Sequence, residues 1–160
     1  MESKNRDLLQ KAKNYAFLLL KFRLRSEEEI RQRLRKKKFE PQIIEETLDF
    51  LKEKKFIDDN YFAKAWIESR LKKPLGIRRL RAELGTKGIA KEIIEARINE
   101  AKDNYPEDQI VAQIVREKLR KLKDTEPGKA KQRIYAYLLR RGFSPETVID
   151  TLNRTRSQCQ

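Results

Sequence analysis

The sequence predicts an all-α protein, folded as an elongated, curved array of three tandem three-helix repeats with about nine helices. Three observations support this fold class. Apolar residues recur at helical spacing, no segment of useful length alternates between apolar and polar residues as a strand would, and the apolar pattern repeats along the chain. A repeat of roughly 50 residues indicates a helical array whose unit is longer than the tetratricopeptide repeat of about 34 residues.

The repeat is visible when the turn after Lys38 is aligned with the turns after Gly88 and Gly142, at offsets of 50 and then 54 residues. Apolar residues then fall at equivalent positions in the three segments: Ile30, Leu80 and Ile134; Leu34, Leu84 and Leu138; Phe39, Ile89 and Phe143; Ile44, Ile94 and Val148; Leu48, Ile98 and Leu152. This register predicts an internal duplication, with repeats at residues 1–57, 58–104 and 105–160.

The first repeat begins with an apolar face at helical spacing, which predicts a helix over residues 7–22. Ser26 and Glu29 form a capping-box pattern, in which each side chain binds a free backbone N–H at the start of the second helix. Pro41 suits the first turn of the third helix, because its missing N–H would be unpaired there in any residue. This repeat therefore has three helices.

The second and third repeats follow the same plan. In the second, Asp58 and Asp59 cap a helix, and two further helices are predicted over residues 77–87 and 91–102. The third opens at Pro106, breaks at Pro127-Gly128, and starts its final helix at Ser144-Pro145.

Composition limits the class of protein. The chain has 39 Lys and Arg residues against 25 Asp and Glu residues, a formal net charge of +14. Leu, Ile, Val and Phe make up 42 of 160 residues, above the roughly 20% typical of disordered chains, so a folded protein is expected. No apolar run approaches the roughly 18 residues of a membrane span, and the first ten residues are too polar for a signal peptide. We therefore expect a cytoplasmic protein without membrane contact.

The residue types also argue against catalysis. Cys159 is the single cysteine and histidine is absent, which excludes a disulfide framework, a structural zinc cluster and a histidine-activated nucleophile. No phosphate-binding loop is present. We expect no enzyme activity, no metal and no cofactor.

Two segments of the second repeat match a known family. The first is FIDDNYFAKAW, from Phe56 to Trp66, followed by Arg70; the second is GIRRLRAELGTKGI, from Gly76 to Ile89. Together with the three three-helix units, they resemble the RecX family, the regulatory proteins of the RecA recombinase. The resemblance covers nearly the whole chain, and its specificity lies in the combination of these motifs.

The resemblance implies a small bacterial cytoplasmic protein, expected to be a monomer, that binds the RecA–DNA filament. It would modulate RecA mainly as an inhibitor, limiting ATP hydrolysis, strand exchange and filament extension in DNA repair, recombination and the SOS response. The charge alone leaves an alternative, a general basic DNA-binding protein that acts mainly through phosphate contacts.

Cations concentrate on the first two helices of each repeat, whereas the third helices begin with acidic residues. Stacked repeats would align the cations in one stripe on the order of 60–70 Å long. Its partner would be the phosphate backbone of single- or double-stranded DNA, an acidic RecA surface, or both. The residues predicted to form this basic face are Arg31, Arg35, Lys38, Arg70, Lys72, Lys73, Arg78, Arg79, Arg81, Lys87, Arg133, Arg140 and Arg141. Those nearest the family-like segment, Arg70, Arg78, Arg79 and Arg81, rank first.

Two other interpretations of the charge are less favoured. The acidic first turns argue against a helix-turn-helix that reads DNA bases, because that motif presents the start of its last helix beside phosphates. An isolated run of cations such as Lys36–Lys38 is more simply explained as a solvated surface than as a binding site.

The remaining motif residues are predicted to be structural: Asp58, Asp59, Phe62, Trp66, Gly76, Leu80, Leu84 and Gly88. Helix capping explains the aspartates better than a catalytic or metal-binding pair does. Tyr61 and Tyr135 lie beside the apolar face, where packing is favoured over stacking on a nucleic-acid base.

Gly76 and Gly88 are predicted turn residues. Lys38 and Lys55 stand where the resembled family usually has glycine. If these turns need left-handed backbone, each lysine costs about 1 kcal/mol relative to glycine.

Overall fold

The computed structural model describes residues 2–157, so Cys159 lies outside the described part. Within it the chain forms nine helices and no strand, which confirms the all-α fold class. The helices are α1 (Glu2–Phe22), α2 (Glu27–Lys36), α3 (Pro41–Glu53), α4 (Asp59–Arg70), α5 (Ile77–Thr86), α6 (Lys91–Lys102), α7 (Glu107–Lys121), α8 (Pro127–Arg140) and α9 (Pro145–Ser157). None of the described helices is long and apolar enough to span a membrane.

Side-chain caps define several helix starts. Ser26 Oγ accepts a hydrogen bond from the Glu29 amide at 3.2 Å, and a Glu29 carboxylate oxygen accepts one from the Ser26 amide at 3.2 Å. The predicted capping box is therefore present at α2. At α9, Ser144 Oγ accepts a hydrogen bond from the Thr147 amide at 3.3 Å.

The start of α8 differs from the sequence prediction of a break at Pro127-Gly128. The helix begins at Pro127 itself, because a first helical residue needs no N–H partner. The Glu126 carboxylate accepts hydrogen bonds from the amides of Gly128 and Lys129, at 2.8 and 2.9 Å. These bonds lower the pKa of Glu126. The glycine is thus held in the first turn of α8.

The chain divides into two compact units: residues up to 66 with 84–94, and residues 67–83 with 95 onward. In the first unit, α1, α2 and α3 enclose a core that contains Ala12, Ala16, Ile30, Leu34, Leu48 and Leu51. In the second, α7, α8 and α9 enclose a core that contains Val111, Val115, Ile134, Leu138, Phe143 and Val148. The repeat boundaries at residues 57 and 104 stay a prediction.

Four helix-ending turns share one backbone geometry. Lys38, Lys55, Gly88 and Gly142 all have positive φ, at 62°, 57°, 73° and 87°. In each turn the next amide donates to the carbonyl oxygen five residues earlier, at 2.8 to 3.3 Å. This is the main hydrogen bond of the Schellman motif. Both lysines therefore have the left-handed backbone on which their predicted cost relative to glycine depends.

Glycine is required at position 76 because of close packing, and not because the backbone there is left-handed. A Cβ on Gly76 would lie 2.0 Å from the Gly142 carbonyl carbon. The Gly76 amide also donates to the Arg141 carbonyl oxygen at 2.9 Å. Two stretches of backbone therefore approach too closely at this point for any side chain.

Candidate nucleic-acid interface

In the first two repeats, an arginine on the second helix binds a glutamate on the third. Arg31 Nε lies 3.0 Å from Glu45 Oε1, and Arg81 Nε lies 2.6 Å from Glu95 Oε1. These hydrogen bonds raise the pKa of each arginine and lower that of Glu45. Two residues predicted for the basic face therefore link neighbouring helices.

Arg31 makes further ion pairs within α2. Its guanidinium lies 2.8 Å from a Glu27 oxygen and 2.9 Å from a Glu28 oxygen. Only 18% of the side chain is exposed. Arg35 differs, since it is 63% exposed and approaches Glu28 only to 3.9 Å. Arg31 is therefore largely neutralised, whereas Arg35 faces solvent.

Glu83 binds two of the arginines that the sequence ranks first. Arg70 reaches both Glu83 oxygens, Nη2 to Oε1 at 2.6 Å and Nε to Oε2 at 2.9 Å. Arg79 Nε lies 2.9 Å from Oε1. Arg78 is exposed and has no carboxylate partner in the described part of the chain. Arg78 is thus the first-ranked arginine whose charge is uncompensated.

Lys87 takes part in a half-buried network. Its Nζ lies 2.7 Å from Glu29 Oε1 and 4.8 Å from the centre of the Trp66 ring. Burial alone would raise the pKa of Glu29, but hydrogen bonds from Arg23, Lys87 and the Ser26 amide lower it to about 2. The Lys87 carbonyl oxygen also accepts from Ser26 Oγ at 2.6 Å. The network ties Lys87 to the start of α2.

Lys38, Lys72 and Lys73 are exposed. Among residues 2–157, none of the three forms an ion pair with a carboxylate. They belong to short connections between helices.

Several cations line a groove between α7 and α8. Its charged lining consists of Lys118, Lys121, Arg133 and Arg140, and its volume is about 270 Å³. Tyr137 also lines it, with Lys118 Nζ 3.7 Å from the ring centre. Among the residues that the structure describes, no acidic one lines the groove. We call it the α7–α8 groove.

A shallow depression of about 450 Å³ adjoins this groove through a shared residue, Arg140. It also contains Arg78 and Arg79 from the start of α5, and Gly142. The structure therefore brings together three predicted residues from distant parts of the sequence. The α7–α8 groove and this depression together are called the basic surface.

Arg141 lies beside the basic surface, and its guanidinium group contacts other parts of the protein. Its guanidinium carbon is 5.1 Å from the centre of the Tyr137 ring, and Nη1 donates to the Pro74 carbonyl oxygen at 3.4 Å. These contacts help to fix the end of α8 and the Tyr137 ring.

Sequence reasoning missed Lys118, Lys121 and Tyr137 as members of the candidate site. Helical spacing contained part of the signal. Residues 118 and 121 are three apart on α7, and residues 133, 137 and 140 follow one face of α8. The spacing predicts shared faces, but not that the two faces meet.

The two motif aspartates have separate roles. Asp58 Oδ1 accepts from the amides of Asn60 and Tyr61 at 2.8 and 3.1 Å, so it caps α4 as predicted. Asp59 Oδ1 instead accepts from the Glu27 amide at 2.9 Å. Burial raises the pKa of Asp59. Asp59 thus satisfies a backbone donor at the start of another helix.

The apolar motif residues pack as the sequence predicts, with one exception among the aromatics. Phe62, Leu80 and Leu84 are buried, and Phe62 stacks on the half-buried Trp66 with ring centres 5.8 Å apart. Tyr61 is 60% exposed. The favoured packing role therefore does not apply to Tyr61.

Comparison with protein families gives three consecutive matches. Residues 12–51 match the model described as RecX, first three-helix domain. Residues 58–96 match the second three-helix domain and residues 107–152 the third.

Individual relatives agree. The chain is 30% identical over 146 residues to the regulatory protein RecX of Haemophilus influenzae (strain PittEE), covering 91% of this chain and 95% of the relative. It is 35% identical over 144 residues to the regulatory protein RecX of Geobacillus thermodenitrificans (strain NG80-2), covering 89% and 53%. The crystal structure of RecX from Lactobacillus salivarius has the same fold, with a TM-score of 0.81 and 20% identity over 93% of this chain and 97% of that one.

Proposed function

The chain belongs to the RecX family, and from this premise we propose that it regulates the RecA recombinase by binding the RecA–DNA filament. Binding limits ATP hydrolysis, strand exchange and filament extension, in the cytoplasm and without catalysis by the chain itself. The observation that carries the proposal is the match of all three RecX domain models along residues 12–152.

The basic surface supplies the contact to the filament. Lys118, Lys121, Arg133 and Arg140 face one groove without a carboxylate in its lining. Cations in such an arrangement repel one another, and an anionic partner relieves that repulsion. Phosphates of filament DNA have the required charge, and their contact releases condensed counterions. This surface carries no signal for reading bases in the major groove.

The ion-paired arginines have a different part in the proposal. Arg31, Arg70 and Arg81 hold helices in place through carboxylates, so they support the fold that presents the basic surface. Arg78 and the exposed Lys72 and Lys73 extend the contact with uncompensated charge. The predicted stripe thus becomes a smaller set of binding residues with a supporting framework.

The central experiment measures RecA ATP hydrolysis on single-stranded DNA, and strand exchange, with increasing amounts of this protein. We expect inhibition at or below a stoichiometric ratio. No inhibition of either reaction at that ratio contradicts the proposal.

The contact surface is tested with the double substitution Arg133→Glu and Arg140→Glu. We expect loss of inhibition with an unchanged helical circular-dichroism spectrum, because both side chains are exposed. The matched control is Lys11→Glu with Lys91→Glu, two exposed cations outside the basic surface that give the same change in net charge. Equal loss in both double variants would mean that total charge, rather than this surface, determines inhibition.

A second function, general DNA binding through phosphates, is favoured by one observation: α8 contains no acidic residue. Fluorescence anisotropy at increasing salt distinguishes the two functions. The regulator binds RecA–DNA filaments more tightly than naked DNA at physiological salt. Equal affinity for both would favour the general DNA-binding protein.

A further inference from the structure

The first compact unit contains a surface pocket of about 320 Å³ that the proposed function does not use. The buried side chains of Ile57 and Phe62 line its inner part. Phe56 and Tyr61 also line it and are 50% and 60% exposed. The pocket therefore combines an apolar interior with two accessible aromatic rings.

Exposure of these rings is notable because they lie together. Single exposed apolar residues are ordinary on protein surfaces, but Leu24 joins Phe56 and Tyr61 in lining the same pocket and is 48% exposed. The Phe56 ring meets Phe17 edge to face, with centres 4.9 Å apart. This contact holds Phe56 in a defined orientation.

Two cations line the same pocket, Arg25 and Lys55. Neither forms an ion pair with a carboxylate in the part of the chain that the structure describes. Arg25 Nε donates to the Leu19 carbonyl oxygen at 3.3 Å, which fixes the side chain. Burial, and then the charge of Arg23, lowers the pKa of Arg25. An anion beside Arg25 and Lys55 would compensate both charges.

Lys55 has a left-handed backbone, with φ 57°. The same turn geometry occurs at Gly88 and Gly142, where glycine adopts it without strain. Strained backbone occurs often at binding sites, although Lys38 has the same geometry. Here the side chain supplies a cation at the edge of the aromatic pocket.

Asp58 also lines the pocket and contributes a negative charge there. Its Oδ1 accepts from two amides in the first turn of α4, at 2.8 and 3.1 Å. The positive end of the helix dipole compensates a carboxylate in this position. Asp58 therefore does not cancel the charge of Arg25 and Lys55.

We propose that this pocket binds single-stranded nucleic acid, with one unstacked base against Tyr61 and Phe56 and neighbouring phosphates at Lys55 and Arg25. Aromatic faces beside cations are the usual means by which proteins hold single strands without reading sequence. An apolar side chain of a protein partner would fill the pocket but leave both cations unused. The proposal does not depend on RecA, so it is tested without RecA.

The experiment compares an oligo-dT strand with an abasic strand of the same length and charge, by fluorescence anisotropy with the full chain. The unmodified protein should bind oligo-dT more tightly. Tyr61→Ala should weaken oligo-dT binding about tenfold and leave abasic binding unchanged, because stacking requires a base. Tyr61→Phe keeps the ring and should keep the preference. An unchanged preference for oligo-dT in Tyr61→Ala overturns the proposal and leaves the pocket to an apolar protein segment.

The phosphate contact is tested with Lys55→Gly and the matched control Lys54→Gly. Lys54 has an ordinary φ of −83° and does not line the pocket. Lys55→Gly should reduce the slope of log affinity against log salt by about 0.7, the value for one phosphate contact on a single strand. It should also raise the melting temperature, whereas Lys54→Gly should do neither. Equal salt slopes in the two variants would remove Lys55 from the site and contradict the proposal.

Discussion

Helix α2 is the second helix of the first repeat, and α8 is the second helix of the last. The two helices carry equal numbers of cations but differ in the acidic residues near them. Each helix has four cations, but α2 has three acidic residues and α8 has none. On α2, Arg31 is bound by three carboxylates. On α8, Arg133 and Arg140 line a groove to which the described part of the chain contributes no acidic residue. The number of cations on a helix therefore does not locate a binding surface, whereas the nearby carboxylates do.

The repeat register shows how the difference arises. Arg31 with Glu45 and Arg81 with Glu95 occupy equivalent positions in the first two repeats. At the same register, the last repeat has Tyr135 and Ile149. The last repeat thus lacks the ion pair between its second and third helices. Its second helix joins its third through the shared apolar core instead.

The largest expected effect concerns the turns that follow the two helices, which contain Lys38 after α2 and Gly142 after α8. A Cβ on Gly142 would lie 2.3 Å from Arg79 Cβ and 2.6 Å from the Arg79 backbone nitrogen. Gly142→Ala should therefore reduce the free energy of unfolding by about 3 kcal/mol, from overpacking and left-handed strain. Urea denaturation measures this change.

Gly85→Ala is the control for Gly142→Ala. Apart from its chain neighbours and the adjacent backbone of its own helix, a Cβ at Gly85 would meet no described atom within 4 Å, and the residue lies inside α5. Alanine there should stabilise the protein by up to about 1 kcal/mol, because glycine is a poor helix former. A loss of stability at Gly85 equal to that at Gly142 would contradict the close approach of Gly142 and Arg79.

The next largest effect should come from acid, which should remove the stability that Glu29 on α2 contributes. The pKa of Glu29 is about 2, against 4.5 for an ordinary glutamate. Because the folded-state pKa is lowered, its stabilisation is complete above pH about 4.5 and is lost as pH falls toward 2. The loss should be on the order of 2 kcal/mol. Asp59 acts in the opposite direction, since burial raises its pKa.

Urea denaturation between pH 3 and pH 6 tests the role of Glu29. Glu29→Gln should flatten the acid dependence of stability. Arg140→Gln, in the groove without carboxylates, should leave that dependence unchanged. An acid dependence that persists in full in Glu29→Gln would assign it to other carboxylates.

The most direct contrast replaces one arginine on each helix. Arg31→Met should cost about 2 kcal/mol of stability, because three glutamates lose their shared partner. Arg133→Met should change stability by less than about 0.5 kcal/mol, since the residue is exposed. DNA affinity should respond in the reverse way, falling in Arg133→Met and staying nearly constant in Arg31→Met. If both variants lose stability equally, the proposed division between structural and binding arginines is wrong.

Local signals in the sequence predicted the helices and much of the core. Capping at Ser26, proline at Pro41 and apolar spacing act within a few residues, so they can be recognised without tertiary structure. The two sequence motifs that lie between Phe56 and Ile89 predicted membership of the RecX family, which the comparisons confirm.

The candidate site could be predicted only in part, because it depends on contacts between helices. Glu83 binds both Arg70 and Arg79, yet the sequence gives no sign that one carboxylate serves both. The α7–α8 groove likewise depends on how the two helices pack. Periodicity places Lys118 and Arg133 on faces of their helices, but packing decides that these faces meet.

A small effect is expected at Lys38, the counterpart of Gly142. Lys38→Gly should stabilise the protein by about 0.5 to 1 kcal/mol, because glycine adopts φ 62° without strain but loses more entropy on folding. Lys36→Gly removes the same charge from the last turn of α2 and should destabilise by a similar amount. Thermal denaturation of both variants measures the difference. A destabilised Lys38→Gly would mean that the lysine side chain makes a stabilising contact, so that the turns at Lys38 and Gly142 differ in more than the room around Cβ.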